Sequence, residues 1–166
     1  LVAVPAMSAI TLPETEFPTG DLWVFGYGSL MWRPGFEFVE RVPARLIGEH
    51  RALCVYSFVH RGTPEKPGLV LGLDRGGACC GVVLRLPAML AIDELHLLWR
   101  REMVVGSYRP TWVKVRTDGR DIVALTFIVR RDHPQYARGI TLDEQVAVLN
   151  TACGAFGSSL DYLERT

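Results

Sequence analysis

This sequence has few cysteines and no excess of charge of either sign. Each of these absences argues against a class of function. The four cysteines form no Cys-x-x-Cys pair and no Cys/His spacing typical of a zinc site, so we predict no bound metal. The 18 Lys and Arg residues balance 18 Asp and Glu residues, and no basic run is present. Neither nucleic acid nor a membrane surface is therefore predicted as a partner. Thiols without a disulfide framework favour a cytoplasmic location.

The first twenty residues lack the features of a secretory signal peptide, which begins with basic residues and continues with a sustained apolar run. We expect residues 1–20 to form a loose N-terminal arm. The 166-residue chain is long enough for one sizeable core and short for two domains. Residues 21–166 are therefore predicted to form a single domain.

Alternating apolar residues and turn residues predict about six strands. A short buried strand, Leu22 to Phe25, leads into a glycine loop, and residues 38–57 predict one or two strands with a break. Two hairpins are predicted, one turning through Asp74 to Gly77 and the other through Asp118-Gly119. Residues 61–68, with two prolines and two glycines, are predicted to be a loop.

Helical spacing begins after Pro87, where residues 88–105 repeat apolar side chains every three to four positions. A second helix is predicted at Thr141, because Thr141 and Glu144 have the spacing of a capping box, and a third follows Gly157. Strands and helices come in mixed order, which argues against a doubly wound parallel sheet. We therefore predict an α+β fold: a small mixed, closed or nearly closed β-barrel with flanking helices.

The loop after the first predicted strand, Gly-Tyr-Gly-Ser-Leu at residues 26–30, shares features with known glycine motifs. A dinucleotide-binding Gly-x-Gly-x-x-Gly loop requires glycine where Met31 stands, and a phosphate-binding loop requires a Gly-Lys ending that is absent. Ser29 lacks the flanking glycines of a nucleophile elbow. Two interpretations remain. The loop is either an ordinary tight turn, or a nest whose N–H groups bind an anion while Gly28 permits positive φ or close ligand approach.

A carboxylate occupies an apolar position of the first predicted helix. Glu102 lies on the same helix face as three apolar residues spaced i, i+3 and i+4, which are Leu95, Leu98 and Trp99. The two arginines before Glu102 are rotated away from that face. Either the carboxylate lines a cavity, where burial raises its pKa toward a value suited to proton transfer, or it joins a network with an arginine or a helix end.

Five motifs in order resemble the gamma-glutamylcyclotransferase superfamily, and most closely its ChaC-like, glutathione-specific branch. They are VFGYGSLMWRPGF (Val24 to Phe36), HRGTPEKPGLVLGLDRGG (His60 to Gly77), REMVVGSYRP (Arg101 to Pro110), QYARG (Gln135 to Gly139) and GSSLDYL (Gly157 to Leu163). Where the family often has Gly-Gly-Tyr, this chain has Gly106, Ser107 and Tyr108. The departure leaves the tyrosine in place.

The resemblance implies a small β-barrel with flanking helices and an enzyme that needs no cofactor. Glutathione would be cleaved to 5-oxoproline and Cys-Gly when its own α-amine attacks its γ-amide carbonyl. Glu102 would be the catalytic acid/base, and the γ-glutamyl part of the substrate would be bound by Tyr27, Gly28, Ser29 and Leu30. The resemblance therefore implies a small-molecule substrate as the binding partner.

Several residues have roles that the sequence leaves open. Tyr108 is taken as a further substrate-binding residue, although packing in the barrel would explain a phenol there equally well. His60 and Arg61 could meet the glycine carboxylate of glutathione or stay solvated. Tyr136 and Tyr162 could contact the substrate or serve the fold.

Two alternative functions also stay open. A different gamma-glutamyl amine or amino acid could replace glutathione in the same reaction. Alternatively, the barrel could bind a small ligand or a partner protein without catalysis, although a carboxylate on an apolar stripe argues against that interpretation.

Overall fold

The computed structural model describes residues 19–103 and 105–166. The predicted N-terminal arm, residues 1–20, lies almost wholly outside the described residues, and the domain boundary at residue 21 stays a prediction. The elements, in chain order, are β1 (Leu22–Gly26), β2 (Glu40–Ser57), β3 (Gly68–Leu86), α1 (Ala88–Glu102), β4 (Tyr108–Thr117), β5 (Arg120–Val129), α2 (Leu142–Thr151), β6 (Cys153–Gly154), β7 (Gly157–Ser158) and α3 (Ser159–Glu164).

Five strands close into a barrel in the order β1-β3-β2-β4-β5. Neighbours along this order pair in antiparallel fashion. The last strand, β5, completes the circle through parallel pairs, Val24 of β1 with Leu125 and Leu73 of β3 with Ile128. The predicted mixed barrel with flanking helices is confirmed. It has five strands rather than about six, and the described residues add a separate two-stranded ribbon, β6-β7.

The predicted hairpin turn at Asp74 to Gly77 is wrong, because β3 runs straight through it. β3 stays paired with β2 on both sides of these residues, and the register shifts between Ile47 and Glu49. Gly76 and Gly77 there have φ of +97° and +69°. Positive φ serves a β-bulge as well as a turn, so the glycines kink a continuous strand. The chain reverses instead at residues 58–67, within and before the predicted proline-rich loop.

The second predicted hairpin is confirmed. β4 and β5 are joined by Asp118-Gly119, with Thr117 paired to Arg120 and Gly119 at φ +85°. With Thr117–Arg120 included, ten residue pairs form without a register shift. A local turn signal between two alternating strands is therefore sufficient here to set the pairing.

Side chains of β1 alternate between two parts of the core, as the two-residue period of a strand requires. Leu22 and Val24 pack with Leu95 and Leu98 of α1. Phe25, on the opposite face, joins a second cluster among the strands. Full burial of such a side chain contributes about 1.5–3 kcal/mol, so both faces of β1 hold it in place just before the glycine loop.

Helix α1 packs along the barrel and ends at Glu102. Its first turn is capped by Asp21, whose carboxylate accepts a hydrogen bond from Ala88 N–H at 3.0 Å. A carboxylate at this end accepts a hydrogen bond from a free N–H group and interacts favourably with the positive end of the helix dipole. The buried side of α1, which is Ala91, Leu95, Leu98 and Trp99, fixes the rotation of the helix and therefore the direction of Glu102.

The two later helices have side-chain caps. The predicted capping box of α2 is confirmed: Thr141 Oγ1 accepts from Glu144 N–H at 3.2 Å, and the Glu144 carboxylate accepts from Thr141 N–H at 2.7 Å. Ser158 caps α3 by accepting from Asp161 N–H at 3.0 Å. Among the described residues, no helix combines the length and apolar character needed to cross a bilayer.

Candidate active site

A cavity of about 630 Å³ lies where the turn after β1, the end of α1, the start of β4 and α3 come together. A smaller inner chamber of about 40 Å³ adjoins it. Four residues line both spaces: Ser29, Glu102, Tyr108 and Tyr162. We call these four residues, together with Tyr27, the floor of the cavity. Ser29, Glu102 and Tyr108, separated in sequence, were all predicted site residues, and the structure brings them together.

The predicted glycine loop is a short 3-10 turn, Ser29–Met31. Its closure depends on hydrogen bonds from Met31 N–H to the Gly28 carbonyl at 2.9 Å and from Arg33 N–H to the Ser29 carbonyl at 2.7 Å. The first N–H groups of a helical turn have no acceptor within that turn. The N–H groups of Ser29 and Leu30 are therefore hydrogen-bond donors beside the cavity and its inner chamber, both of which Ser29 lines.

The loop residues divide between the core and the cavity. Tyr27 is buried and donates its hydroxyl proton to the Phe127 carbonyl at 2.7 Å. Leu30 is buried in the cluster beneath α1 and reaches only the inner chamber. Ser29 lines the cavity itself. Within the loop, only Ser29 presents a side chain to the larger space.

Gly28 does not have the positive φ offered as one reason for a glycine, since its φ is −130°. Close approach is the reason that applies, and the approaching group is a protein side chain. A Cβ atom at Gly28 would lie 2.8 Å from the hydroxyl oxygen of Tyr162. Glycine is needed here because Tyr162 occupies the space that a side chain would fill.

Glu102 ends α1 and reaches the floor, where 17% of its side chain is exposed. Burial raises the pKa of this carboxyl group above that of an ordinary glutamate, and the nearby positive charge of Arg101 partly opposes the rise. The closest approach between the two side chains is 3.3 Å, from Arg101 Nε to Glu102 Oε1. Both sequence interpretations of Glu102 therefore hold at once, because it lines a cavity and pairs with an arginine.

Arg101 connects the helix end to the glycine loop, and helical periodicity missed it. The pattern places Arg101 away from the apolar face, yet its long side chain turns back to donate to Ser29 Oγ at 2.7 Å and to the Pro34 carbonyl at 3.0 Å. A third hydrogen bond goes to the Arg33 carbonyl. One guanidinium thus fixes the loop relative to Glu102, a task suited to its rigid set of donors.

Two tyrosines complete the floor. Tyr108 lies beside Glu102 in both spaces but donates its proton to the Leu71 carbonyl at 3.0 Å, and burial raises its pKa well above the usual value. Tyr162, from α3, accepts a hydrogen bond from Leu71 N–H at 3.3 Å, and burial raises its pKa to about 12. Both phenols therefore remain protonated near neutral pH.

The mouth of the cavity is formed by exposed lining residues, among them Arg33, His60, Arg100 and Phe156. The Arg33 guanidinium lies 5.0 Å from the centre of the Phe156 ring. The His60 ring packs against the same ring at 4.9 Å between centres. Partial burial, followed by the charges of Arg101, Arg61 and Arg33, lowers the pKa of His60.

Arg61 and Tyr136, whose roles the sequence left open, have protein partners. Arg61 is buried and bonds to the Ser158 carbonyl at 3.1 Å and to Asp161 Oδ2 at 3.2 Å. Tyr136 does not line the cavity. Its hydroxyl donates to Asp74 at 2.7 Å within an ion pair to Arg131.

The charge lining the cavity is strongly uneven, although the chain as a whole is neutral. Four arginines line it, Arg33, Arg61, Arg100 and Arg101, and among the described lining residues Glu102 is the sole carboxylate. A concave site with low-dielectric walls concentrates such a field. The cavity therefore favours an anionic small molecule, and its volume is within the range of ligand sites.

No group of three or more His, Cys, Asp and Glu side chains suited to a metal ion occurs in the described part of the chain.

Comparisons with known proteins point to one family. Residues 22–166 match the family described as ChaC-like protein. The chain is 42% identical over 145 residues to the glutathione-specific gamma-glutamylcyclotransferase of Escherichia coli (strain K12), covering 87% of this chain and 63% of that protein. It is 31% identical over 172 residues to the human glutathione-specific gamma-glutamylcyclotransferase 1, covering 97% of this chain and 77% of that protein.

A solved structure has the same fold. The crystal structure of a yeast gamma-glutamylcyclotransferase specific to glutathione superposes with a TM-score of 0.81 at 24% identity, covering 88% of this chain and 85% of that one. At this identity the likeness concerns the fold alone. It places this barrel and its flanking helices among known architectures.

Proposed function

This chain belongs to the ChaC-like family, and on that premise we propose that it is a glutathione-specific gamma-glutamylcyclotransferase. The observation that carries the proposal is the position of Glu102. It is a mostly buried carboxylate with a raised pKa, beside the Ser29 turn, in a cavity that is also lined by four arginines. Glutathione, with two carboxylates and one ammonium group, has the net negative charge that this lining favours.

The proposed reaction uses a nucleophile that the substrate carries. The α-amine attacks the γ-amide carbonyl carbon, a lactam C–N bond forms, and the bond to the cysteine nitrogen breaks, which releases 5-oxoproline and Cys-Gly. A serine nucleophile is not required, and the surroundings of Ser29 do not suit one. Its hydroxyl accepts a hydrogen bond from Arg101, and a guanidinium cannot act as the base that would activate it.

Glu102 is proposed as the acid/base. At neutral pH the α-amine is an ammonium group and cannot attack until a base takes a proton from it. The raised pKa of Glu102 makes its carboxylate a better proton acceptor than an ordinary glutamate. The same group can then return a proton to the departing amide nitrogen.

The glycine loop is proposed to bind the reacting end of the substrate. N–H groups of Gly28, Ser29 and Leu30 can donate to the oxygen that gains negative charge in the tetrahedral intermediate. Tyr27 and Leu30 support this loop from within the core and the inner chamber. Fixing the γ-glutamyl chain in a ring-closing conformation adds an orientation effect, which is worth about 7 kcal/mol or more in the best cases.

The proposal is tested by incubating the purified protein with glutathione and, separately, with a panel of gamma-glutamyl amino acids and amines. Mass spectrometry follows 5-oxoproline. Release from glutathione alone supports the proposal, whereas release only from another panel member keeps the mechanism and changes the substrate. A folded protein that releases none refutes the enzymatic function.

A cytoplasmic location is part of the proposal, because glutathione is the thiol that keeps the cytosol reducing. Fractionation of cells that express the chain, with detection of the protein in each fraction, checks it. Recovery in the membrane or secreted fraction would contradict it.

A further inference from the structure

Three tyrosine hydroxyls meet at the floor of the cavity, and their protons have different destinations. Tyr27 donates to the Phe127 carbonyl at 2.7 Å, and Tyr108 donates to the Leu71 carbonyl at 3.0 Å. Tyr162 is arranged the other way, since its oxygen accepts from Leu71 N–H at 3.3 Å. Two of the three phenols therefore donate their hydroxyl protons to main-chain carbonyl groups of the barrel strands.

The proton of Tyr162 remains available. Across residues 19–103 and 105–166, the Tyr162 hydroxyl donates to no protein acceptor. Only 6% of the residue is exposed, yet it lines both the cavity and the inner chamber, next to Glu102. A buried hydroxyl donor is costly unless an acceptor reaches it, and the cavity that Tyr162 lines is the space from which a ligand or water can supply that acceptor.

The hydroxyl lies against the glycine loop. A Cβ atom at Gly28 would be 2.8 Å from Tyr162 Oη, so the phenol oxygen stands beside the N–H groups that begin the Ser29 turn. A substrate oxygen bound by those N–H groups would also be within reach of this hydroxyl. The absence of a side chain at Gly28 is what permits that proximity.

The phenol ring is held rigidly in this position. The Arg61 guanidinium lies 5.4 Å from its centre, and the Trp32 ring packs edge-on at 6.4 Å. Arg61 in turn pairs with Asp161, the residue before Tyr162. A donor fixed before the substrate arrives needs no reorganisation during the reaction, which is the condition for strong transition-state stabilisation.

We infer that Tyr162 is a further catalytic residue, whose hydroxyl donates a hydrogen bond to the γ-carbonyl oxygen as that oxygen becomes negatively charged. The inference rests on the proposed function. Tyr162 keeps its proton throughout, and the bonds that form and break are those of the cyclisation already described. Burial holds the pKa of Tyr162 at about 12, so the group is protonated across the neutral range.

The test compares kcat and KM for glutathione in the wild type and in Tyr162→Phe. Loss of an oxyanion donor is expected to lower kcat about a hundred- to thousandfold with little change in KM. The matched control is Tyr136→Phe, which removes a hydroxyl bonded to Asp74 outside the cavity and is expected to affect the melting temperature rather than kcat. A kcat near that of the wild type in Tyr162→Phe, or a raised KM at constant kcat, would overturn the inference.

A second variant keeps the inference testable if Tyr162→Phe does not fold. Gly28→Ala alone, in the otherwise wild-type chain, should displace the hydroxyl and lower kcat strongly. Where Tyr162→Phe does fold, adding Gly28→Ala to it should have little further effect, because the clash is gone. Equal losses in the two backgrounds, or an unchanged kcat in Gly28→Ala, would refute the role. A wild-type protein that releases no 5-oxoproline would refute the proposed function itself, and the role with it.

Discussion

The floor and the mouth of the cavity differ in how their polar groups are held. At the floor, Glu102 is mostly buried and paired with Arg101, and Tyr108 is bonded to the main chain. At the mouth, Arg33 is exposed and rests on the face of Phe156. Fixed, desolvated groups suit charge that develops during a reaction. Exposed cations on flexible stems suit recognition of charge that the ligand already carries. The comparison predicts that floor variants change kcat and mouth variants change KM.

The largest effect is expected for Glu102→Gln, which keeps the shape of the side chain and removes its basicity. We expect kcat to fall at least about a hundredfold, the lower end of general-base effects, with the fold retained. Steady-state release of 5-oxoproline from glutathione measures the loss. Glu164→Gln is the matched control, because Glu164 is exposed on α3. Near-normal turnover by Glu102→Gln would remove the carboxylate from the mechanism and erase the distinction between floor and mouth.

Arg101→Met tests the electrostatics of the floor through pH dependence. The base form of Glu102 is the carboxylate, so kcat should decline as the pH falls through the raised pKa of that group. Arg101 opposes the rise in this pKa, so its removal should raise the pKa further and move the acid limb of the kcat profile to higher pH. Arg101→Lys retains the charge and should leave the limb near its wild-type position. A limb that moves to lower pH in Arg101→Met would contradict this account.

The barrel could be predicted from the sequence, but the course of its longest strands could not. Asp118-Gly119 lies between two clearly alternating segments, so the local signal was sufficient. Gly76 and Gly77 carry a similar signal, yet they lie in a bulge of β3 opposite β2. Turn and bulge make the same local demand on φ. Only pairing with a distant strand decides between them, and that pairing is not visible in a local pattern.

The site was predictable where one residue stood out against its own element. Glu102 is a charged residue on an otherwise apolar helix face, and this exception to the helical pattern is visible in the sequence alone. Tyr162 gives no such signal, because its importance comes from the approach of α3 to Gly28, which is distant in sequence. Helical periodicity places Arg101 on the wrong side of the helix, since a long side chain can bend around a helix against the direction of its Cα–Cβ bond. Convergence of distant segments therefore limited the prediction of the site.

Ser29→Ala probes the contact between the loop and Arg101 with a smaller expected effect. It removes an acceptor 2.7 Å from the guanidinium. A hydrogen bond to a charged group is worth about 1.5 kcal/mol or more, so a loss of about tenfold in kcat is expected. Complete inactivity together with a trappable acyl-enzyme would instead establish Ser29 as a nucleophile.

The smallest effect is expected at the mouth. Arg33→Gln removes an exposed cation, and exposed charges contribute about 1 kcal/mol or less, so KM for glutathione should rise about fivefold at most with kcat unchanged. Raising the ionic strength should weaken wild-type binding and leave the variant less affected, because salt screens an exposed charge. Arg61→Met is the contrasting change, since Arg61 is buried against Asp161 and packs on the Tyr162 ring, and its loss should lower the melting temperature and kcat together. If Arg33→Gln lowered kcat at constant KM, the guanidinium would act in the transition state, and the mouth would then share the chemical task assigned to the floor.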